Sequence, residues 1–162
     1  MRQLSLFTAI LLLSSPGPVI SQESEQFSSR ANPLIAIHEA RQPIFGLYAP
    51  ANRTAIGNSR DLPQKLPSEL AKETLGFNNS DFLFTGSMES SLEQGLPAWV
   101  DYVESMIEAG ATIRTHPIIV KTPKIADDYE AATQNIALQL DTGAAGIMFV
   151  TVESAEEVEH GL

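Results

Sequence analysis

The chain has 162 residues, which is enough to bury a normal hydrophobic core, and its length predicts about one domain. Its formal net charge of −10 argues against nucleic acid and anionic membrane surfaces as main partners. The sequence contains no cysteine, which excludes disulfides, thiolate catalysis and cysteine-based zinc sites.

Residues 1–21 have the features of a secretory signal peptide. Arg2 is basic, residues 4–13 form an apolar stretch too short to span a bilayer, and small or branched residues occupy the usual cleavage positions. We therefore expect a secreted or periplasmic protein without membrane contact after cleavage; an uncleaved anchor is the alternative. Polar residues 22–31 predict a disordered linker before a domain over 32–162.

Helical and extended patterns alternate from the end of this linker onward. The first half predicts a helix over 33–40 capped by Asn32, a strand over 43–48, a long loop over 49–67, a helix over 68–75 and a strand over 81–85. The second half predicts a polar loop over 86–95, a helix from Pro97 to Gly110, a strand over 117–120, a helix over 125–140, a strand over 145–150 and a helix capped by Ser154. The uninterrupted apolar run 145–150 is typical of a strand buried on both faces.

This order predicts an α/β fold with a parallel sheet. Beyond the long loop the strands begin ~30 residues apart, which is the size of one βα unit. Repeated βα units build either a doubly wound sheet or a (β/α)₈ TIM barrel. A complete barrel needs roughly 200 residues or more, so about four βα units correspond to a partial barrel.

In parallel α/β folds, reactive side chains collect after the carboxyl ends of the strands. These positions hold Tyr48 after the first strand, Glu89 after the second, and Lys121 and Thr122 after the third. Lys121 could hold a substrate carboxylate, or its ammonium could simply reach solvent at the rim. Glu89 could act as a base, or it could be a solvated loop carboxylate.

None of the three histidines is a good catalytic candidate. His38 and His160 lie on predicted helices, where we expect surface residues. His116 precedes the third strand, at the end of a barrel that contributes stability and not catalysis. The sequence also lacks a Ser-His-Asp order, an HExxH motif, a P-loop and a GxGxxG motif.

Four stretches carry a resemblance to a known family: residues 43–48, 80–84, 117–121 and, most clearly, 141–157. The last stretch reads DTGAAGIMFVTVESAEE and contains a "-GA-GI---V-SAEE-" pattern across a helix end, a strand and the next helix start. The chain resembles the HpcH/HpaI aldolase and citrate lyase family of (β/α)₈ barrels. The resemblance covers roughly residues 32–162 and implies the N-terminal half of such a barrel.

The resemblance implies a carbon–carbon lyase that acts on 2-oxo or hydroxy acids. Such enzymes use a divalent metal, usually Mg²⁺ or Mn²⁺, which holds a 2-oxo acid such as pyruvate and stabilises its enolate. The family's metal-binding Glu and Asp come from later strands that this chain does not contain. The resemblance therefore implies a metal whose ligands lie outside the chain, and the chain alone is expected to be inactive.

The active-site motif departs from the family pattern. The aldolase branch has Asp-Gly-Glu-His after the second strand, with the histidine as the base, whereas residues 85–89 here read Thr-Gly-Ser-Met-Glu. The resemblance makes Glu89 the stand-in catalytic acid/base. An arginine usually holds the substrate carboxylate, and Lys121 can replace its charge without its planar fork. Tyr48 and Thr122 are the other substrate-binding candidates.

Two functions stay open at this point. The stop inside a predicted helix favours a truncated copy of a metal-dependent lyase, and the altered motif favours a divergent, non-catalytic relative that binds a small molecule. The lyase implies a small carboxylic acid as its substrate. An unrelated doubly wound domain is a third possibility and predicts a flat open sheet. Because a half-barrel exposes strand edges, a homo-oligomer is also expected.

Overall fold

The computed structural model describes residues 30–50 and 65–162. The signal peptide predicted over 1–21, most of the linker predicted over 22–31 and most of the loop predicted over 49–67 therefore lie outside the described residues. Within the described ranges, no helix is both long enough and apolar enough to cross a membrane.

Helices and strands alternate along the described part of the chain. In order they are α1 (Pro33–Glu39), β1 (Gly46–Tyr48), α2 (Pro67–Thr74), β2 (Phe82–Thr85), α3 (Leu92–Glu108), β3 (Ile118–Lys121), a 3₁₀ turn (Ile125–Asp127), α4 (Tyr129–Asp141), β4 (Gly146–Met148) and α5 (Ala155–Gly161). Each parallel strand is joined to the next through a helical connection, as a βα repeat requires.

The four strands form one parallel sheet in the order β1-β2-β3-β4. The predicted α/β class is confirmed. The described strands show no reversal of order, which a doubly wound sheet has at its switch point. Four strands in this order are consistent with a partial βα repeat and do not establish a closed barrel.

One face of the sheet is covered by helices and forms the core. Leu83 and Val120 are buried on this face and pack with Leu70 of α2 and with Trp99 and Met106 of α3. Burial of such large side chains contributes roughly 1.5–3 kcal/mol each relative to leaving them in water. The core therefore fixes β2 and β3 against α2 and α3.

The other face is less covered. Along β2 and β3 the residues between the buried ones are partly exposed, because successive side chains of a strand point to opposite faces. Strand register places one set of neighbouring residues on this side. We call it the open face, and it comprises Gly46, Tyr48, Phe82, Phe84, Ile119, Lys121, Gly146 and Met148.

A side-chain hydrogen bond joins α3 to the end of α4. The indole Nε1 of Trp99, which is 2% exposed, donates to Oγ1 of Thr142 at 3.0 Å. Gly143 follows with a φ of 106°, in the left-handed region. A Cβ on Gly143 would also lie 2.9 Å from Cγ1 of Val103. Gly143 is thus required both by the left-handed backbone and by the close approach of α3.

The helix predicted from Pro97 begins five residues earlier. The hydroxyl of Ser91 accepts from the amide of Gln94 at 3.3 Å, so Ser91 caps the helix and Leu92 begins it. The polar loop predicted over 86–95 is correspondingly shorter. Pro97 is the sixth helical residue and cannot donate the usual bond to the carbonyl four residues earlier.

The helix predicted over 125–140 is divided. Residues 125–127 form a single 3₁₀ turn, and α4 begins only after Asp128. The carboxylate of Asp128 accepts from the amide of Ala131 at 3.0 Å. Asp128 is therefore the N-cap of α4, because its side chain accepts from an amide that has no partner within the helix.

The strand predicted over 145–150 is shorter and less buried than expected. It covers Gly146–Met148, pairs with β3 at one end of the described sheet, and leaves Met148 39% exposed. The prediction that this strand is buried on both faces is wrong. Ile147 lies on the helix-covered face, whereas Gly146 and Met148 lie on the open face.

Candidate functional site

The carboxyl edge of the open face holds an ion pair between two predicted site residues. Lys121 ends β3, and its Nζ donates to Oε2 of Glu89, in the loop after β2, at 2.7 Å. The side chains are 24% and 39% exposed, respectively. The structure therefore brings the expected carboxylate anchor and the expected acid/base into direct contact where solvent can reach both.

An aromatic pair lies beside the ammonium of Lys121. The Nζ atom is 5.8 Å from the ring centroid of Phe84, within the range of a cation–π contact. Tyr48 meets the same ring edge-on, at a centroid distance of 5.0 Å and an interplanar angle of 82°. Phe84 thus connects Tyr48 to the Lys121–Glu89 pair.

Phe84 was not among the residues that the sequence singled out. Its signal is positional: β1 and β2 pair Tyr48 directly with Phe84, so both belong to one row of the open face. Such a row can be deduced only when the strand register is known, because a slip by one residue moves every side chain to the other face.

Thr122 lies on the helix-covered side of the sheet. Its side chain is fully buried, and its amide donates to the carbonyl of Met148 at 3.3 Å. Its hydroxyl has no hydrogen-bond partner among the described residues. The structure therefore brings Tyr48, Glu89 and Lys121 into one connected group and places Thr122 apart from them.

The side chain of Gln139 contacts residues next to the ion pair and stabilises the backbone at Lys121. This fully buried residue of α4 donates from Nε2 to the carbonyl of Lys121 at 3.0 Å, and the same nitrogen is 3.8 Å from the sulfur of Met88. Met88 directly precedes Glu89, so one amide holds the backbone of Lys121 and contacts the side chain of the residue before Glu89. Sequence reasoning missed Gln139; the available signal was its position seven residues after the buried Ala132, on the same helix face.

A second lysine–glutamate pair lies farther along the same edge. Nζ of Lys124 donates to Oε2 of Glu153 at 2.6 Å. This hydrogen bond raises the pKa of Lys124 and lowers the pKa of Glu153. The buried carboxylate of Glu157 accepts from the backbone amide of Glu153 at 3.0 Å, so the pair is anchored at the start of α5.

The side chains of the described ranges do not fit a divalent metal site. In those ranges no three His, Asp or Glu side chains lie together in a way that could hold a metal ion. Glu89 and Glu153 each have an oxygen engaged by a lysine.

A ligand carboxylate can replace Glu89 as the partner of the Lys121 ammonium. A lysine ammonium carries three donors, and Glu89 engages it through one carboxylate oxygen at an exposed edge. The aromatic ring below it can contact the apolar part of a small acid. Comparisons with protein-family models, curated proteins and solved structures find no match to this chain.

Proposed function

We propose that the protein binds a small carboxylic acid at the carboxyl edge of its open face. The observation that supports this proposal is the 2.7 Å contact between Lys121 and Glu89, in which a carboxylate already sits against a partly exposed ammonium. A ligand carboxylate can displace Glu89 or share the remaining donors of Lys121. In a chain of net charge −10, an anion needs a local cation, and Lys121 becomes available where the ligand carboxylate replaces Glu89 or shares the ammonium with it.

The aromatic pair favours a short ligand with a small carbon skeleton. Tyr48 and Phe84 lie on the same face as Lys121, and Phe84 is within 5.8 Å of the ammonium. A ligand held by its carboxylate would place its next carbons over this pair. A 2-oxo or hydroxy acid of a few carbons meets both requirements.

A lyase of the HpcH/HpaI type is the catalytic form of this proposal, with the chain forming part of a (β/α)₈ barrel. The observation that favours it is the position of Glu89 in direct contact with the anchor, which would place a carboxylate beside a bound acid. There Lys121 would orient the acid, and Glu89 would move the proton. A non-catalytic binding protein would need Lys121 and would not need Glu89 as acid/base.

Titration calorimetry with pyruvate tests the binding proposal. Lys121→Gln is expected to weaken binding by at least about tenfold, because a charge-assisted hydrogen bond contributes about 1.5–3 kcal/mol. Lys124→Gln is the matched control, since it removes one charge from a similar lysine–glutamate pair at the same edge. Its affinity should stay within about twofold of the unaltered protein. Equal losses in both variants, or no binding by the unaltered protein, would contradict the proposal.

Turnover separates the catalytic from the non-catalytic form. The chain alone is expected to bind pyruvate without cleaving a 4-hydroxy-2-oxo acid in the presence of Mg²⁺, because its described residues lack a metal-ligand set. Metal-dependent cleavage that Glu89→Gln abolishes would contradict this expectation and support a lyase complete in this chain.

A further inference from the structure

A concave site lies at the end of the sheet opposite to the Lys121–Glu89 pair. A cleft of about 420 Å³ opens between α3 and α4, beside the start of β3. This volume falls in the lower part of the range for ligand pockets, about 300–1,000 Å³. Three large apolar side chains in its wall are unusually exposed: Ile107 by 64%, Ile113 by 42% and Leu140 by 46%.

Two polar side chains, those of Thr112 and His116, also line this cleft. The Thr112 hydroxyl is engaged, since it accepts from the amides of Arg114 at 3.2 Å and Thr115 at 3.3 Å. Both ring nitrogens of His116 are shielded from solvent and have no hydrogen-bond partner among the described residues. Leaving buried polar atoms unpaired is costly, so the wall has hydrogen-bonding capacity that the fold itself does not use.

We propose that this cleft binds a small, uncharged and mostly apolar molecule with one hydroxyl group, such as a phenol. A neutral imidazole presents one donor and one acceptor, and a hydroxyl can pair with either nitrogen because it both donates and accepts. Both nitrogens are shielded in the unliganded protein, so this pairing requires the ring to rotate until one nitrogen faces the cleft. The described residues that line the cleft include no Lys, Arg, Asp or Glu. A charged ligand would therefore find no opposite charge there, whereas an apolar ring would meet matching walls.

The proposed hydroxyl site is distinct from the carboxylate site. His116 lies two residues before β3 begins, whereas Lys121 is the last residue of that strand. The two sites therefore lie at opposite ends of β3. Loss of pyruvate binding and loss of phenol binding are consequently independent results.

p-Cresol and toluene are matched probes, because they differ by a single hydroxyl. Amide NMR titration of the full chain should show p-cresol shifting signals of residues 111–116 and 143–144. It should bind about two- to tenfold more tightly than toluene, the factor expected for one hydrogen bond. His116→Phe is expected to abolish this preference while keeping an aromatic ring in the wall.

Leu140→Trp provides a second variant at an exposed position, where a larger side chain fits without straining the core. It should weaken both probes by narrowing the cleft, with the circular dichroism spectrum unchanged. Equal affinity of the unaltered protein for both probes would overturn the proposal. So would signal shifts outside the cleft, or unchanged binding by Leu140→Trp; these readouts hold even if His116→Phe fails to fold.

Discussion

Glu89 is an internal competitor for the ammonium that we propose as the ligand anchor. Glu89→Gln should therefore raise the affinity for pyruvate by about fivefold, because a surface ion pair contributes at most roughly 1 kcal/mol. Calorimetry would measure this gain, with Glu153→Gln as a control that alters the neighbouring pair and leaves the affinity unchanged. A fall in affinity for Glu89→Gln would mean that Glu89 orients Lys121 and does not compete for it.

The buried hydrogen bond between the hydroxyls of Thr74 and Tyr102 is expected to contribute to the free energy of unfolding. Thr74 donates to the carbonyl of Leu70 at 2.8 Å, so in the 2.7 Å contact between the hydroxyls Tyr102 is the donor. Tyr102→Phe should lower the free energy of unfolding at pH 7 by about 0.5–1.5 kcal/mol, the net value of one hydrogen bond. Urea denaturation measures this difference.

The same substitution tests a pH dependence. Burial raises the pKa of Tyr102, because the charged phenolate is disfavoured in the core. The unfolded chain therefore loses this proton first, and the free energy of unfolding falls as the pH rises above the ordinary tyrosine pKa of about 10. Tyr102→Phe should show a shallower decline between pH 9 and 11. Parallel declines in the two proteins would contradict this explanation.

At the scale of elements, two glycines at helix ends allow the cost of backbone strain to be distinguished from the cost of overpacking. Gly110 and Gly143 both have positive φ, 94° and 106°, but only Gly143 faces a neighbour, Val103. Gly110→Ala should cost about 1–2 kcal/mol for the left-handed backbone alone. Gly143→Ala should cost about 1–3 kcal/mol more, because the added Cβ overpacks against Val103.

Urea denaturation of the two alanine variants checks this difference. Val103→Ala in the background of Gly143→Ala should recover part of the additional loss, since it removes the atom that lies 2.9 Å from the new Cβ. Equal losses for the two single variants would show that contact with α3 does not constrain the end of α4.

Caps and glycines were the features of these elements that the sequence predicted best. Asn32 and Ser154 each accept from a backbone amide at 3.1 Å, as a local capping pattern predicts. The start of α3 was misjudged because a proline suits a first turn, yet Ser91 supplies a better cap upstream. The burial of β4 depends on strand order, and a local apolar run does not contain that information.

The residues at the carboxyl edge of the candidate site were predictable from the sequence, whereas the contacts between them were not. Parallel topology places Tyr48, Glu89 and Lys121 at one edge, and their spacing along the chain suffices for that expectation. The aromatic link through Phe84 needs the strand register, and the support from Gln139 needs the packing of α4 beneath β3. Both are tertiary features that pattern reasoning does not resolve.

For the whole molecule, the open face predicts self-association. Parallel sheets are normally covered on both faces, yet here Tyr48 and Met148 remain 46% and 39% exposed on one side. Sedimentation velocity should show association that increases with concentration. It should also increase with salt, because salt screens the repulsion between chains that each carry a net charge of −10.

Met148→Lys should suppress this association, since it adds a charge to the open face beside Lys121. Ile107→Lys is the matched control, because Ile107 is 64% exposed and lies away from that face. A sample that stays monomeric at all concentrations and salt levels would contradict the prediction, as would equal effects of the two variants.

The bond from Trp99 to Thr142 gives the molecule an optical reporter. The chain contains one tryptophan, and its indole is buried between α3 and the end of α4. The native fluorescence should be blue-shifted, and it should move to the red whenever these two helices separate. The cleft lined by His116 lies between the same two helices. The emission of this native tryptophan can therefore report the separation of α3 from α4 without any label.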